Sequence, residues 1–229
     1  VVRVDWRASV GLVGTILKWL ALPLAFPVGI AVYHVAVHGT DPSAGLIPLL
    51  VTVGVTVVFG FGLETIGNDN DLGNREAFLM VALTWLGIAL VGAIPFLVAG
   101  RGTVAQPVNA FFEATSGITT TGATVMTDFG VHSRSVLMWR QLIQWLGGLG
   151  ILVLATAVLS KLSVGGAQLM ETETQTQNVN KLTPRIEETA RLILNLYLAV
   201  TATQAVFLYS LRLAGLAPNM TAYSAVAHA

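Results

Sequence analysis

The segment at 116–125, SGITTTGATV, has the residue types best suited to chemistry in this sequence. It contains four threonines and two glycines but no charged residue, and apolar runs flank it on both sides. Gly122 can adopt positive φ without steric cost, so neighbouring carbonyls can face one axis. Such carbonyls, left without helical partners, can replace the hydration shell of a monovalent cation. The segment therefore predicts a cation path. The alternative is a tight helix–helix contact made by small residues.

A short apolar stretch at about 107–117 precedes this segment and opens with proline, a common first residue of a helix. It is shorter than the roughly 20 residues that a membrane-spanning helix needs. Non-helical backbone at membrane depth survives only where it is buried in protein or lines a water-filled path. The negative end of the short helix would also favour a cation at the segment that follows. These features together favour the cation path over simple packing.

Glu113 lies within this short helix, and an ionisable group at membrane depth is a functional candidate. Two roles are open for it. Its carboxylate could accept hydrogen bonds from backbone amides that hold the loop, or it could attract the ion directly. The structural role is the favoured interpretation.

Composition places the whole chain in a membrane. Of its 229 residues, 54% are hydrophobic and 10% are charged, and the mean hydropathy is +0.73. Soluble domains carry roughly 25% charged residues. There is no cysteine, which excludes a disulfide framework or a thiolate metal site. The net charge is zero, so no nucleic acid partner is expected, whereas membrane lipid is.

The order of the apolar runs predicts the architecture. Long runs cover about 9–37, 45–63, 76–99, 135–160 and 183–214, and Gly, Pro, Asn and Asp separate them. The predicted fold is an all-α integral membrane protein with helix–pore loop–helix units, preceded by two extra transmembrane helices. The predicted divisions are two leading transmembrane helices (1–75), a first complete pore unit (76–164), a cytoplasmic polar linker (165–185) and the start of a second pore unit (186–229).

Basic residues predict the orientation, because cytoplasmic loops carry an excess of Lys and Arg. Seven fall on one side of this topology and four near the other, which places the N-terminus and the 161–190 region in the cytoplasm. The first group is Arg3, Arg7, Arg75, Lys161, Lys181, Arg185 and Arg191, and the second is Arg101, Arg134, Arg140 and Arg212.

Two motifs carry a family resemblance. The stretch FEATSGITTTGATV at 112–125 and the stretch WRQLIQWLGGLGI at 139–151 resemble the first pore loop and the following helix of TrkH-type potassium transporters, of the Trk/Ktr/HKT superfamily. The motifs sit at the spacing of that family, and two leading helices before a helix–pore loop–helix unit also match it. The resemblance therefore covers nearly the whole chain.

This resemblance implies potassium uptake across the plasma membrane, with K⁺ as the transported ion, no bound cofactor and no enzyme activity. It implies four pore units around one pathway, of which the later ones are expected beyond these residues. It also implies a homodimer gated by a cytosolic nucleotide-binding ring protein. By position, Thr120 and Thr121 supply K⁺-binding carbonyls and Gly122 is the filter glycine. The expected supports of the pore loop are Thr119, Ala123 and Glu113.

Other functions stay open at this point. The chain could be a secondary transporter of another cation or small solute, with a binding site at broken helices. It could also be a non-conducting membrane assembly subunit. A hydrolase triad of Ser116, Asp128 and His132 is disfavoured, because nothing in the sequence orders these residues.

Overall fold

The computed structural model describes residues 5–67, 73–170 and 182–229, and the regular structure in these ranges is entirely helical. Short 3₁₀ turns, Pro42–Ala44 and Thr103–Ala105, precede α3 and α5. The α-helices of the described ranges are α1 (Trp6–Trp19), α2 (Ala21–His38), α3 (Leu46–Ile66), α4 (Asn74–Ala99), α5 (Pro107–Ile118), α6 (Arg134–Met170), α7 (Leu182–Leu213) and α8 (Ala222–His228).

Several of these helices are long and apolar enough to cross a membrane. Large apolar side chains face outward from them, as at Leu22, Val58 and Phe78, which are 69%, 72% and 66% exposed. Lipid is the medium in which such surfaces are stable, because acyl chains replace water around them. The prediction of an all-α, multi-pass membrane protein is confirmed. The candidate spans in the described ranges are Trp6–His38, Leu46–Ile66, Arg75–Ala99, Arg134–Leu154 and Glu188–Leu213.

The first predicted run forms two helices that meet at Leu20. The amide of Leu20 donates to both Ile16 and Leu17 carbonyls at 3.1 Å, which tightens the last turn of α1. Pro23 lies three residues further and has no N–H to continue the helical hydrogen bonds. The run is one candidate span, Trp6–His38, with a break inside it.

The boundaries around the predicted linker differ from those expected. Helix α6 continues past the predicted end at 160 to Met170, and α7 begins at Leu182. Of the predicted linker, 165–170 are therefore helical in α6 and 182–185 in α7, while 171–181 lie outside the described residues. The chain divides into two compact units, Val1–Trp145 and Leu146–Ala229.

Close backbone contact joins α1 and α3 in the first compact unit. A Cβ added to Gly14 would lie 2.5 Å from the carbonyl oxygen of Gly60, so only glycine fits there. One turn further, Lys18 forms an ion pair with Glu64. The hydroxyl of Thr15 donates to the same carboxylate at 2.6 Å. Both carboxylate oxygens of Glu64 are therefore bonded within the first compact unit.

The second compact unit contains α7 and α8. Arg212, in the last turn of α7, donates to the Met220 carbonyl at 3.2 Å, and Thr221 caps α8 through the Ser224 amide. Gly215 follows α7 with φ +75°, just as Gly100 follows α4 with φ +59°. A long helix, a left-handed glycine and a short helix thus occur in the same order twice. That a second pore unit begins here stays a prediction.

Candidate functional site

Helix α5 sets the position of the threonine-rich segment. It has 12 residues, starts with Pro107 and ends at Ile118, so at 1.5 Å per residue it spans only part of a bilayer. Ala110 and Ala114 are fully buried, and a Cβ at Gly92 of α4 would lie 3.4 Å from the Ala114 Cβ. Small residues on both helices therefore allow α5 to pack closely on α4.

The first turns of α6 cover the other side of α5. Trp139 is fully buried and its indole N–H donates to the Gly92 carbonyl at 3.1 Å. A Cβ at Gly117 would lie 2.8 Å from Ile143 Cδ1, so the end of α5 rests directly against α6. The C-terminus of α5 is thereby fixed from two sides.

The end of α5 is closed by a Schellman motif. The amide of Thr121 donates to the Ser116 carbonyl at 3.0 Å, and the amide of Thr120 donates to the Gly117 carbonyl at 2.9 Å. These are the two bonds that define the motif, in which the residue after the cap is left-handed. Thr120 occupies that position with φ +56°, although it is a β-branched residue. The motif therefore explains a strained conformation that the sequence alone does not reveal.

Gly122 is also left-handed, with φ +75°, as predicted from its residue type. A Cβ added at Gly122 would meet no atom within 4 Å, so only the backbone conformation requires glycine there. Among the residues that the structure describes, none donates a hydrogen bond to the carbonyl oxygens of Thr120, Thr121 or Gly122, and all three residues are exposed. These oxygens are available to coordinate a cation.

Hydroxyl groups tie the residues on either side of these carbonyls. The Ser116 hydroxyl donates to the Ala123 carbonyl at 2.6 Å, and the Thr119 hydroxyl donates to the Thr115 carbonyl at 2.7 Å. Thr119 and Thr121 hydroxyls also lie 2.8 Å apart, within hydrogen-bond distance. The positions predicted as loop supports at 119 and 123 are thus both bonded back to α5.

Glu113 lies behind the loop with a side chain that is completely buried. Its Oε1 is 2.5 Å from the Arg140 Nε on α6. Its Oε2 accepts from the Val125 amide and the Thr124 hydroxyl, both at 3.0 Å. With both oxygens engaged in this way, the geometry favours the supporting role of Glu113 over direct attraction of the ion.

Sequence reasoning did not identify the supporting contacts that Arg140, Ser116 and Thr103 make with this site. The available signal for Arg140 was its place in a run long enough to span the membrane, because a charged residue there needs a partner. Thr103 donates to the Val125 carbonyl at 2.6 Å and so holds the extended segment that follows Gly122. By contrast, the described hydrogen bonds do not join Ser116 with Asp128 and His132 into a triad.

Comparisons with known proteins agree with this geometry. The family model described as "TrkH: Cation transport protein" matches residues 55–223. A Trk system potassium uptake protein TrkH from Halomonas elongata is 40% identical over 183 residues, which cover 78% of this chain and 36% of that protein. Another, from Vibrio parahaemolyticus, is 34% identical over 227 residues, covering 98% of this chain and 44% of that protein.

The crystal structure of the potassium transporter TrkH from Vibrio parahaemolyticus has the same architecture. It superposes with a TM-score of 0.74 at 30% identity, over 98% of this chain and 42% of that one. The chain thus spans less than half the length of these relatives. The matched residues include the short helix α5, the threonine-rich segment that follows it and the first turns of α6. The chain therefore belongs to the TrkH family of cation transport proteins.

Proposed function

We propose that this chain forms part of a potassium uptake protein of the plasma membrane, with K⁺ bound by the carbonyl oxygens of Thr120, Thr121 and Gly122. The observation that carries the proposal is a set of three adjacent carbonyls to which no described residue donates a hydrogen bond, placed after a short helix with one buried face. Backbone carbonyls of this kind replace the hydration shell of K⁺ in channel filters. The names of the relatives as potassium uptake proteins support the same ion.

The direction of α5 also favours a cation. Its C-terminus, with a partial negative charge of roughly half an elementary charge, meets the segment at Thr119. A binding site for an anionic substrate would instead use helix N-termini. This polarity supports cation permeation over the alternative of a secondary transporter that binds an anionic solute at broken helices.

One loop supplies only a fraction of the oxygens that a dehydrated ion needs, since K⁺ channels use four loops around one axis. The exposure of Thr120, Thr121 and Gly122 agrees with a pathway that other pore units complete. We therefore expect conduction only from the protein as encoded by its full gene. Robust K⁺ uptake by residues 1–229 expressed by themselves would contradict this proposal.

We also propose the assembly that the family resemblance implies, which is a homodimer controlled by a cytosolic nucleotide-binding ring protein. Co-purification with such a ring protein tests the regulatory partner, and the mass of the protein in detergent tests the dimer. Both measurements are separate from ion transport.

Flux of rubidium and sodium into proteoliposomes tests the proposed activity. The protein from the full gene should carry rubidium, a K⁺ substitute, well ahead of sodium, and protein-free liposomes should carry neither. Equal flux of both ions would contradict a selective carbonyl filter. Absence of any flux, with correctly folded and inserted protein, would favour the non-conducting assembly subunit.

A further inference from the structure

Ser116 bonds to the residues on both sides of Gly122. Its carbonyl accepts from the Thr121 amide at 3.0 Å, and its hydroxyl donates to the Ala123 carbonyl at 2.6 Å. Gly122 lies between these two bonds with φ +75°, and a Cβ added there would meet no atom within 4 Å. One residue of α5 therefore holds both ends of the three-residue segment that is centred on Gly122.

The packing of α5 fixes the position of the Ser116 side chain. Ser116 is 5% exposed, and a Cβ at the next residue, Gly117, would lie 2.8 Å from Ile143 Cδ1 of α6. Ile118, the last residue of α5, is 2% exposed. Because the end of α5 is buried in this way, the hydroxyl oxygen of Ser116 keeps its place against the loop and has little access to water.

The segment after Gly122 runs back along α5 and is held at two levels of that helix. Ser116 bonds to Ala123, and Glu113, three residues earlier on the same helix face, accepts from the Val125 amide at 3.0 Å. The bond of Ser116 is the one nearer to Gly122. Loss of the Glu113 bond leaves Ala123 held, whereas loss of the Ser116 hydroxyl frees the carbonyl next to the proposed K⁺ site.

The Ala123 carbonyl directly follows the carbonyls proposed to bind K⁺, those of Thr120, Thr121 and Gly122. Among the described residues, its hydrogen-bond donor is the Ser116 hydroxyl, and Ala123 is exposed. Without that donor the carbonyl can rotate toward the ion path, and the backbone of Gly122 can follow, since glycine adopts the widest range of φ and ψ. The selectivity of a carbonyl site depends on the number and the placement of its oxygens, so this movement should change it.

We infer that Ser116 is a positioning residue for ion selectivity, because its hydroxyl keeps the Ala123 carbonyl out of the K⁺ site and limits the movement of Gly122. This inference rests on the proposed function, in which the carbonyls at 120–122 bind K⁺. Ser116 acts through the backbone of the loop and does not contact the ion. Its loss should therefore alter the choice between ions more than the stability of the fold.

Rubidium and sodium flux into proteoliposomes tests this inference in the protein from the full gene, with each rate divided by the amount of inserted protein. Ser116→Ala removes the hydroxyl and keeps a good helix former. Ser116→Thr retains a hydroxyl on the same carbon and is the rescue variant. Thr56→Val is the matched control, because the Thr56 hydroxyl is also buried and donates to a backbone carbonyl at 2.6 Å, but within α3.

The preference for rubidium over sodium should fall about threefold to tenfold in Ser116→Ala, which is the range that one net hydrogen bond covers. It should return toward the wild-type value in Ser116→Thr. Thr56→Val should keep the wild-type preference even where its melting temperature falls. Rates for the two ions that fall by the same factor in Ser116→Ala would overturn the inference, because a loss of active protein alone has that effect.

The wild type separates this inference from the proposed function on which it rests. A wild type that prefers rubidium, together with a Ser116→Ala variant of equal preference, overturns the inference and leaves the proposed function intact. A wild type that carries both ions equally overturns both. Ser116→Cys retains only a weak donor and should also lower the preference, which keeps the inference testable if Ser116→Ala inserts poorly.

Discussion

The buried pair of Glu113 and Arg140 gives the sharpest prediction about what holds the pore loop. Glu113 has no exposed surface, Arg140 is 11% exposed, and 2.5 Å separates their charged atoms. Removing the cation by Arg140→Met leaves a buried carboxylate without its charge partner, which costs about 3–5 kcal/mol. Glu113→Gln keeps the shape and loses charge-assisted hydrogen bonds, for a cost of about 1–3 kcal/mol.

The double variant Glu113→Gln/Arg140→Met should be more stable than the sum of these costs predicts, because it leaves no uncompensated buried charge. We expect a coupling of about 1–3 kcal/mol in this double-mutant cycle. Unfolding in mixed micelles measures it, with Arg75→Met and Glu188→Gln as matched controls, since both residues are exposed.

The same cycle reports on function when rubidium and sodium flux are measured in the protein from the full gene. Glu113 accepts hydrogen bonds from the Val125 amide and the Thr124 hydroxyl, so loss of its charge should loosen the segment that follows Gly122. Rubidium preference should fall in each single variant at expression matched to wild type. Additive stabilities together with unchanged selectivity in all three variants would refute a supporting role for the pair.

Three further changes test other parts of the molecule. Gly122 has φ +75°, and an added Cβ would meet no atom, so Gly122→Ser should cost on the order of 1 kcal/mol of backbone strain and reduce selectivity for rubidium over sodium. Thr121→Ser should change flux little. Equal selectivity in both variants would contradict the filter assignment. Lys18→Met should lower the melting temperature more than Lys18→Met/Glu64→Gln, because the single change leaves the partly buried Glu64 carboxylate without its charge partner. The reverse order would argue against the ion pair. Burial lowers the pKa of His132 below 6.5. The contribution of neutral His132 to the free energy of unfolding should therefore be complete above pH 6.5 and decline as the pH falls below it. Melting curves measure this dependence, and His132→Gln should flatten it.

Local signals in the sequence were sufficient for the membrane architecture and for one detail of the backbone. Runs of apolar residues determine helices in lipid, since each backbone polar group must be bonded within the segment. The short helix at 107–117 was predicted from its length and its opening proline, and the structure places α5 at Pro107–Ile118. Positive φ at Gly122 followed from residue type, because glycine alone adopts it freely.

The contacts that support the pore loop could not be predicted from the sequence, because they join residues distant in the chain. Glu113 and Arg140 are separated by 27 positions, and their pairing depends on how α6 packs against α5. The left-handed Thr120 is equally hidden, since the Schellman bonds to Ser116 and Gly117 impose it against the preference of threonine. Nothing in a single sequence distinguishes this threonine from its neighbours.

The contacts around the loop imply that side chains and backbone have separate effects on ion binding. The hydroxyls of Ser116 and Thr119 bond to carbonyls outside the proposed K⁺-binding set, and the Glu113 carboxylate bonds behind the loop. The carbonyl oxygens of Thr120, Thr121 and Gly122, proposed to bind K⁺, receive no bond from these side chains. Changes that preserve a hydroxyl should therefore preserve selectivity, whereas changes that move the backbone should alter it even when folding is intact. This separation is what a filter made of carbonyls requires, because each support then fixes the position of an oxygen without competing with the ion for it.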